Sequence, residues 1–338
     1  MKMNRPFFSI IIATYNSEPT LEFTLRSILT QDFPVEEREL LVVDGGSTDQ
    51  TRKIAEKYGA HVLENPKRLP EFAKLVGVHH ARGHYVIRMD SDEELSYPTQ
   101  LADKKRFLEE HSEIKVLISN RLLKGTRINC GISAAYMNSL GDPFSYFYFG
   151  IKGANQKTYA RNIITTQNGY SILQFHDNDI IPLADSGTCS YSLDYVKEQY
   201  PGLYDTISFT CSTYDHLIRD TGYCGIIEKD SVYHNCNASF QTYLSKLRFR
   251  VINNLFHKEE SGFSSKSNHN RGRLVLFILY TLCVPLPILD SVRLSIIHKS
   301  PSYLLHFIYL YYVCIQILRF GVLKISGKSY DNKSFGKE

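Results

Sequence analysis

The sequence predicts an α/β fold with a mostly parallel central sheet, and three observations support this prediction. Short β-branched runs alternate with amphipathic segments throughout residues 1–90, as expected of strands that alternate with helices. Acidic side chains follow two of these runs, at positions where parallel strands would end. The chain has 338 residues, which is more than a single core usually organises, so an appendage to the α/β domain is expected.

The individual elements follow from local patterns. The apolar run from Phe8 to Ala13 predicts a buried strand, and apolar residues at helical spacing predict a helix between Leu21 and Leu29. The same reasoning predicts strands at 40–43, 61–63, 85–89 and 114–119, and helices that end at Tyr58, span 72–81 and span 100–110. Because ligands of such sheets bind beyond the carboxyl ends of the strands, a binding site is expected there.

Composition excludes several classes of protein. The net charge of +4 is too small to indicate a nucleic-acid partner. The seven cysteines are odd in number and include no C-x-x-C pair, which argues against a disulfide framework and a structural zinc site. A reducing, cytoplasmic location is therefore expected. The apolar run near the N-terminus is too short for a secretory signal.

The segment Asp90-Ser91-Asp92 is the first candidate for chemistry. It places two carboxylates one residue apart at the end of a predicted strand, where they can meet a hard divalent cation through oxygen ligands. Mg²⁺ or Mn²⁺ at this place would bridge two phosphates and neutralise the charge that develops on a departing nucleotide. An isolated D-x-D is usually a turn or a strand-end pair, so its meaning depends on the motifs around it.

Three motifs stand in order along the chain: SIIIATYN at 9–16, LLVVDGGSTDQT at 40–51 and RMDSDEEL at 88–95. Together they resemble glycosyltransferase family 2, and the ordered set is far more specific than any one motif. Between them, the segment at 73–83 is similar to a family helix, with Lys74 in an arginine position and Leu75 replacing an asparagine. The resemblance covers roughly residues 7–240.

The resemblance implies the GT-A fold, inverting chemistry and a nucleotide-diphosphate sugar as donor, with a UDP-sugar expected over a GDP-sugar. It implies that Asp92 is the direct metal ligand and that Asp90 lies against the ribose. It also implies that Asp44 binds the nucleobase, that Tyr15 lines the base pocket and that Lys74 contacts the nucleotide sugar. From the residues alone, core packing of Tyr15 and capping of the next helix by Asp44 remain open.

A downstream segment suggests the catalytic base. Residues 201–223 are similar to the family region in which a turn leads into a Glu-Asp pair and then a helix, with Tyr214 in the glutamate position and Asp215 in the aspartate position. The resemblance implies that Asp215 is the general base that removes a proton from an acceptor hydroxyl. Asp205 is the second candidate, and capping of a helix start by either aspartate remains an alternative.

His234 ends a further predicted strand. A histidine at this place is a metal or phosphate contact in some members of the fold, so His234 is a candidate metal ligand. The alternative is a surface histidine or one with a structural hydrogen bond. Gln241 does not begin the Q-x-x-R-W motif of processive polysaccharide synthases, so transfer of a single sugar is expected.

Two apolar segments, Leu274–Leu289 and Tyr303–Phe320, lie near the C-terminus. The first is interrupted by two prolines and is too short for a bilayer core, whereas the second lies near the threshold for a spanning helix. Basic residues flank and separate them, which favours helices in the interface of the cytoplasmic leaflet or re-entering it. A two-pass hairpin and a buried hairpin of a soluble protein remain alternatives.

These patterns predict a GT-A domain at 1–245, a basic and polar connector at 246–273, membrane-associated helices at 274–322 and a polar tail at 323–338. The predicted function is transfer of one sugar to a lipid-linked glycan, or to another membrane-bound acceptor hydroxyl, in cell-surface glycan synthesis. Transfer to polyprenyl phosphate is the nearest alternative. A non-catalytic nucleotide-sugar-binding module is an alternative of another class.

Overall fold

The structure is a computed structural model that describes residues 5–148, 159–181, 188–204, 206–256 and 271–327. The chain forms two compact units. The first unit consists of Met1–Ile128 and Ala154–Cys236, and the second consists of Asn129–Gly153 and Asn237–Glu338. Each unit is therefore assembled from two separate stretches of sequence.

Strands and helices are numbered in chain order. The strands are β1 (Phe8–Thr14), β2 (Arg38–Asp44), β3 (His61–Glu64), β4 (Tyr85–Asp90), β5 (Glu93–Leu95), β6 (Val116–Ile118), β7 (Arg121–Lys124), β8 (Ile163–Gln167), β9 (Tyr170–Gln174), β10 (Ser190–Ser192), β11 (Tyr223–Ile227) and β12 (Ser231–His234). The helices are α1 (Leu21–Leu29), α2 (Thr51–Lys57), α3 (Pro70–His80), α4 (Gln100–Glu110), α5 (Ala134–Leu140), α6 (Pro143–Tyr148), α7 (Leu193–Gln199), α8 (Ile207–Thr221), α9 (Phe240–Phe256), α10 (Arg271–Leu282), α11 (Pro285–Ile297) and α12 (His306–Ile325). Short 3-10 helices cover Val35–Glu37, Ala160–Asn162 and Pro301–Leu305.

The first unit is built on a nine-stranded sheet of order β3-β2-β1-β4-β10-β6-β11-β9-β8. The first four strands are parallel to one another, which confirms the predicted parallel sheet for this part of the chain. β10 then runs antiparallel to both of its neighbours, a reversal that the sequence did not reveal. A separate three-stranded sheet has the order β5-β12-β7.

The register of the parallel strands aligns their carboxyl ends. Thr14 at the end of β1 lies opposite Asp44 at the end of β2, and Ala13 lies opposite Asp90 at the end of β4. The predicted strand-end carboxylates therefore meet at one edge of the sheet.

Close packing of α3 on β1 depends on Gly77. A Cβ at this position would approach Ile11 Cγ2 to 2.3 Å, well inside van der Waals contact, so a larger side chain would push the helix away from the sheet. Glycine thus lets α3 lie directly against the strand that ends beside the site.

The second unit contains α5, α6 and α9–α12, and its core is rich in tyrosine. Tyr136, Tyr243 and Tyr309 are fully buried, with ring centroids 4.7–6.0 Å apart. Their hydroxyls find polar partners: Tyr309 meets Ser133 Oγ at 2.7 Å, and Tyr136 meets His306 Nδ1 at 2.6 Å. Burial of these rings is compatible with their polar ends because each hydroxyl is hydrogen-bonded.

The apolar segment predicted at 274–289 is broken. α10 ends at Leu282, α11 begins at Pro285, and the two helices are bent by 92°. Proline at the first position of a helix is favourable because it lacks the N–H that would be unsatisfied there. The predicted boundary between the first domain and the connector, at residue 245, falls inside α9. The first eleven residues of the predicted connector are therefore helical.

Candidate functional site

The loops that follow β1 and β4 are tied together at the carboxyl edge of the sheet. Ser17 Oγ lies 2.8 Å from Ser91 Oγ, and Thr24 Oγ1 donates to the Ser91 carbonyl at 3.0 Å. Ser91 separates the two aspartates of the D-x-D motif, so these bonds fix its backbone against the first βα connection. The first and third motifs therefore meet at this edge of the sheet, and ligand binding there stays a prediction.

Asp44 is almost fully buried, at 1% exposure, and its carboxylate organises the loop after β2. It accepts from Gly46 N at 3.1 Å, from Ser47 N at 2.9 Å and from Thr14 Oγ1 at 3.2 Å, and Arg52 Nη1 lies 3.7 Å away. These bonds use most of the acceptor sites of one carboxylate. The alternative that Asp44 caps the next helix is wrong, because Gln50 is the N-cap of α2. Asp44 instead holds the turn at Gly46 and Ser47, and its contact with a nucleobase stays a prediction.

Tyr15 and Arg68 form a pair beside this loop. The Arg68 guanidinium lies 5.6 Å from the Tyr15 ring centroid, and a Cβ on Gly45 would be 3.4 Å from Tyr15 Cδ2 and 3.5 Å from Arg68 Cα. The half-buried ring thus stands at the edge of a surface rather than inside the core. A flat aromatic face with an adjacent cation suits a base and a phosphate.

Arg68 was missed by the sequence reasoning. It is exposed and has a positive φ of 61°, unusual for a residue with a side chain. The available signal was a basic residue in the short connection between β3 and α3, where parallel sheets bind ligands.

Asp90, Asp92 and Glu93 bring three carboxyl groups into four residues. Glu93 is fully buried, and its Oε2 accepts from Asp90 N at 2.9 Å. Burial, reinforced by the neighbouring Asp90 carboxylate, raises the pKa of Glu93 to about 8. Burial thus favours the protonated form of Glu93, and its Oε2 supports the turn by accepting from the Asp90 amide.

His234 is brought to Asp92 by strand pairing. It lies opposite Glu93 where β12 pairs with β5, and its Nε2 is 3.4 Å from Asp92 Oδ2. Burial would lower the pKa of His234, but hydrogen bonds with Asp92 and Cys236 raise it well above its ordinary value. A cationic imidazole stabilises Asp92 as an ion-pair partner, whereas a metal ligand must be unprotonated. Metal ligation by His234 stays a prediction.

The donor set fits a divalent cation whose coordination the substrate completes. Within the described part of the chain, no group of three or more His, Cys, Asp or Glu side chains is arranged to hold a metal. Magnesium-type sites in nucleotide enzymes commonly use only one or two carboxylates together with phosphate oxygens. Asp90 and Asp92 supply that number.

Lys74 is half-buried on α3, in the second turn of the helix that Gly77 holds against β1. Its role towards a nucleotide sugar stays a prediction.

Asp215 lies in the interior of α8, and its Oδ2 accepts from Arg219 Nε at 3.1 Å. The sequence predicted that Tyr214 and Asp215 precede the helix. This prediction is wrong, because α8 already begins at Ile207. The helix-cap alternative for Asp215 is also wrong, since Thr206 is the N-cap and its hydroxyl accepts from Phe209 N. The second candidate, Asp205, lies outside the described residues.

Arg88 connects α8 to the strand that ends at Asp90. Its buried guanidinium donates to the Thr210 carbonyl at 2.8 Å and lies between the rings of Tyr191 and Tyr214, 5.0 and 5.5 Å from their centroids. Tyr214, in the family's glutamate position, is a core residue whose hydroxyl donates to the Cys189 carbonyl at 2.9 Å. The helix that carries Asp215 is thus anchored to β4.

Comparisons with known proteins agree with this architecture. Residues 9–114 match the family model described as Glycosyl transferase family 2. A 124-residue stretch is 38% identical to poly(ribitol-phosphate) beta-N-acetylglucosaminyltransferase TarS of Staphylococcus aureus and covers 35% of this chain and 22% of that protein. A 154-residue stretch is 32% identical to the putative glycosyltransferase EpsE of Bacillus subtilis and covers 42% of this chain and 54% of that protein. The chain thus spans less than two thirds of either relative.

Among solved structures, the mannosyltransferase PcManGT from Pyrobaculum calidifontis, in complex with GDP-Man and Mn²⁺, superposes with a TM-score of 0.51 at 15% identity. The match covers 93% of this chain and 87% of that chain. The fold is therefore that of the GT-A class, as predicted. More narrowly, the match of residues 9–114 to the Glycosyl transferase family 2 model agrees with the resemblance read from the motifs.

Proposed function

We propose that the protein is an inverting glycosyltransferase that moves one sugar from a nucleotide-diphosphate sugar to a membrane-bound acceptor hydroxyl. One observation carries the proposal: the loops after three parallel strands converge at one sheet edge with Tyr15, Asp44 and the two aspartates of the D-x-D motif. The family 2 domain covers the same segments.

In this proposal each loop has its own task in donor binding. Tyr15 packs against the nucleobase, and the loop held by Asp44 offers backbone groups to it. Arg68 pairs with a phosphate beside the base, and Lys74 contacts the nucleotide sugar from α3. Asp90 lies against the ribose. A UDP-sugar is the expected donor.

Asp92 would hold Mg²⁺ or Mn²⁺ as the direct protein ligand, and the cation would neutralise charge on the departing diphosphate. His234, whose Nε2 lies 3.4 Å from Asp92 Oδ2, would help to orient the Asp92 carboxylate. Asp215 is proposed as the base for the acceptor hydroxyl, and Arg219, four residues later on the same helix, fixes its side chain.

The acceptor is proposed to be a lipid-linked glycan or another polymer of the cell surface, reached from the cytoplasmic face of the membrane. TarS is named as a transferase to poly(ribitol-phosphate), a polymeric acceptor. The exposed apolar helices of the second unit support attachment to a membrane.

The donor is tested by thermal unfolding with a panel of nucleotide sugars, in Mn²⁺ and in chelator. One UDP-sugar is expected to raise the melting temperature only with metal, because a ligand of the native state stabilises it by mass action. Transfer and hydrolysis of that sugar are then assayed. A panel without any stabilising nucleotide would refute the proposed donor class, and binding without turnover would favour a non-catalytic module.

The acceptor class is tested with Asp215→Asn. A hydroxyl acceptor needs its proton removed, so the variant should lose about 10²–10⁴-fold in kcat with unchanged donor affinity. A polyprenyl phosphate acceptor is already anionic, and with it the variant should retain its rate. Asp220→Asn, the same change at an exposed position of α8, serves as the matched control for damage to this helix.

A further inference from the structure

The second unit leaves an unusual number of apolar side chains uncovered. Of the exposed large apolar side chains in the described chain, 17 lie within residues 275–325 and only three lie in the first unit. Leu282 is 73% exposed, Ile296 is 71% exposed and Leu318 is 69% exposed. Patches of this kind on soluble proteins mark a surface that is covered by a partner or a membrane.

We propose that α10, α11 and the free face of α12 insert into one leaflet of an anionic bilayer and that none of the three helices crosses it. Both ends of this segment then remain on the same side of the membrane. The inference rests on the proposed function in one respect: the membrane is where the proposed acceptor is located.

α12 has the length of a spanning helix but also a packed face. Residues Pro301–Ile325 are long and apolar enough to cross a membrane. However, Tyr309, Val313 and Phe320 are buried on one side of α12, within reach of α9. A helix with one face in a protein core and the other face exposed is suited to lie at an interface.

α9 accompanies α12 along its length. The Phe240 and Tyr309 ring centroids are 5.9 Å apart, the Arg248 guanidinium is 5.8 Å from the Phe320 ring, and Lys324 Nζ donates to the Leu255 carbonyl. If α12 crossed the bilayer, α9 would enter it with Lys246, Arg248 and Arg250. Each cation at the centre of a bilayer costs roughly 2.5–3.5 kcal/mol even on the lowest scale.

α10 and α11 are too short and too sharply bent to cross. They have 12 and 13 residues, about 18 and 20 Å of helix, against a hydrocarbon core of about 30 Å. Their bend of 92° prevents them from acting as one straight span. Both helices carry exposed apolar residues, such as Leu279 on α10 and Leu289 on α11. Such a bent pair can enter one leaflet and leave it on the same side.

The charged residues within α11 fit a shallow insertion. Asp290 pairs with Arg293 at 2.6 Å, and Arg293 Nη2 donates to Tyr146 OH at 2.8 Å. The charges of Asp290 and Arg293 therefore have partners inside the second unit. In a shallow insertion this pair would lie at the depth of the lipid head groups.

The charge distribution indicates an anionic lipid. Residues 237–338 contain 14 Lys and Arg but only 5 Asp and Glu, whereas the rest of the chain contains 25 against 30. The basic excess thus lies in the same stretch of sequence as the exposed apolar helices. Basic residues beside an anionic surface each add attraction, which salt weakens.

The first experiment measures binding of the full chain to vesicles with phosphatidylglycerol and to vesicles of phosphatidylcholine alone. Binding is expected to the former and to fall with salt. Leu279→Glu with Leu282→Glu should lower the bound fraction by about tenfold per leucine, because their apolar burial is lost. The matched control, Val35→Glu with Ile164→Glu, changes equally exposed apolar residues of the first unit and should bind as the wild type.

The second experiment determines sidedness in membranes from the expression host. Lys299→Cys, between α11 and α12, and Ser326→Cys, after α12, are introduced separately where Cys211, Cys283 and Cys314 are alanine. An impermeant maleimide should label both positions from the same side as the N-terminus. Labelling of either position only from the opposite side would show a crossing helix and overturn the inference.

The remaining outcomes are also decisive. A soluble oligomer that Leu282→Glu dissociates would show that a second copy covers this surface, and the inference would be wrong. Donor binding, measured in parallel, separates the two proposals: its loss with intact vesicle binding would refute the proposed function alone.

Discussion

His234 Nε2 lies 3.4 Å from Asp92 Oδ2, where β12 pairs with the strand that begins directly after Asp92. The D-x-D motif is therefore held from two sides, by Ser17 and Thr24 near the first strand and by His234 from a distant part of the chain. The arrangement orients the Asp92 carboxylate before a metal or nucleotide binds.

Asp92→Ala is expected to abolish metal-dependent nucleotide binding and transfer while the protein remains folded. The fold should survive because the Asp92 backbone carbonyl, which accepts from Asn235 N at 2.7 Å, is unchanged. Calorimetry of nucleotide binding with Mn²⁺ measures the first effect, and thermal unfolding measures the second. Glu56→Ala, an exposed carboxylate on α2, is the control. Wild-type affinity in chelator would contradict this prediction.

Arg68→Ala is expected to weaken nucleotide binding by about 1.5–3 kcal/mol, the usual contribution of a hydrogen bond to a charged group. Its exposed guanidinium has no role in the core, so the unfolding free energy should hardly change. Lys67→Ala is a matched control, because the neighbouring ammonium lies 3.8 Å from the Phe72 ring centroid instead. Equal losses in both variants would indicate general electrostatic attraction rather than a specific contact.

Asp44→Ala is expected to lower both the unfolding free energy and the donor affinity, each by about 1–3 kcal/mol. The first loss arises because the amides of Gly46 and Ser47 lose their acceptor. The second is expected because, in the proposed function, the loop they form contacts the nucleobase. Urea unfolding and a donor titration measure the two effects separately. A normal donor affinity in a destabilised protein would assign Asp44 to the loop alone.

Lys104→Met is expected to lower the unfolding free energy by about 3–5 kcal/mol, since it leaves a buried carboxylate without its cation. Lys104 Nζ lies 2.5 Å from Asp230 Oδ2, and both side chains are fully buried. The double variant with Asp230→Leu should recover most of the loss. Lys105→Met, one residue later and paired with Glu37 near the surface, should cost no more than about 1 kcal/mol.

The first half of the fold could be predicted from sequence because its signals are local. The helix predicted at 100–110 is α4 without any shift, and the strand from Phe8 needs one added residue. Strand-end aspartates also follow directly from the pattern, since parallel strands share a carboxyl edge.

The rest depends on contacts between distant segments. Nothing local shows that His234 pairs with the strand after Asp92, or that Arg68 lies over Tyr15. Asp215 was expected beyond a turn, but α8 starts earlier because Thr206 caps it. The interruption expected from the prolines is confirmed by contrast, because the break between α10 and α11 lies directly before Pro285.

The discontinuous second unit imposes an order on synthesis. α5 and α6 leave the ribosome long before α9 and α12, whose rings complete the core around Tyr136. In the nascent chain, α5 and α6 therefore remain without their packing partners while the rest of the first unit is being synthesised. Chaperone dependence should accordingly be greatest for ribosome-bound intermediates stalled between these two parts of the gene, and should fall once α12 completes the core around Tyr136.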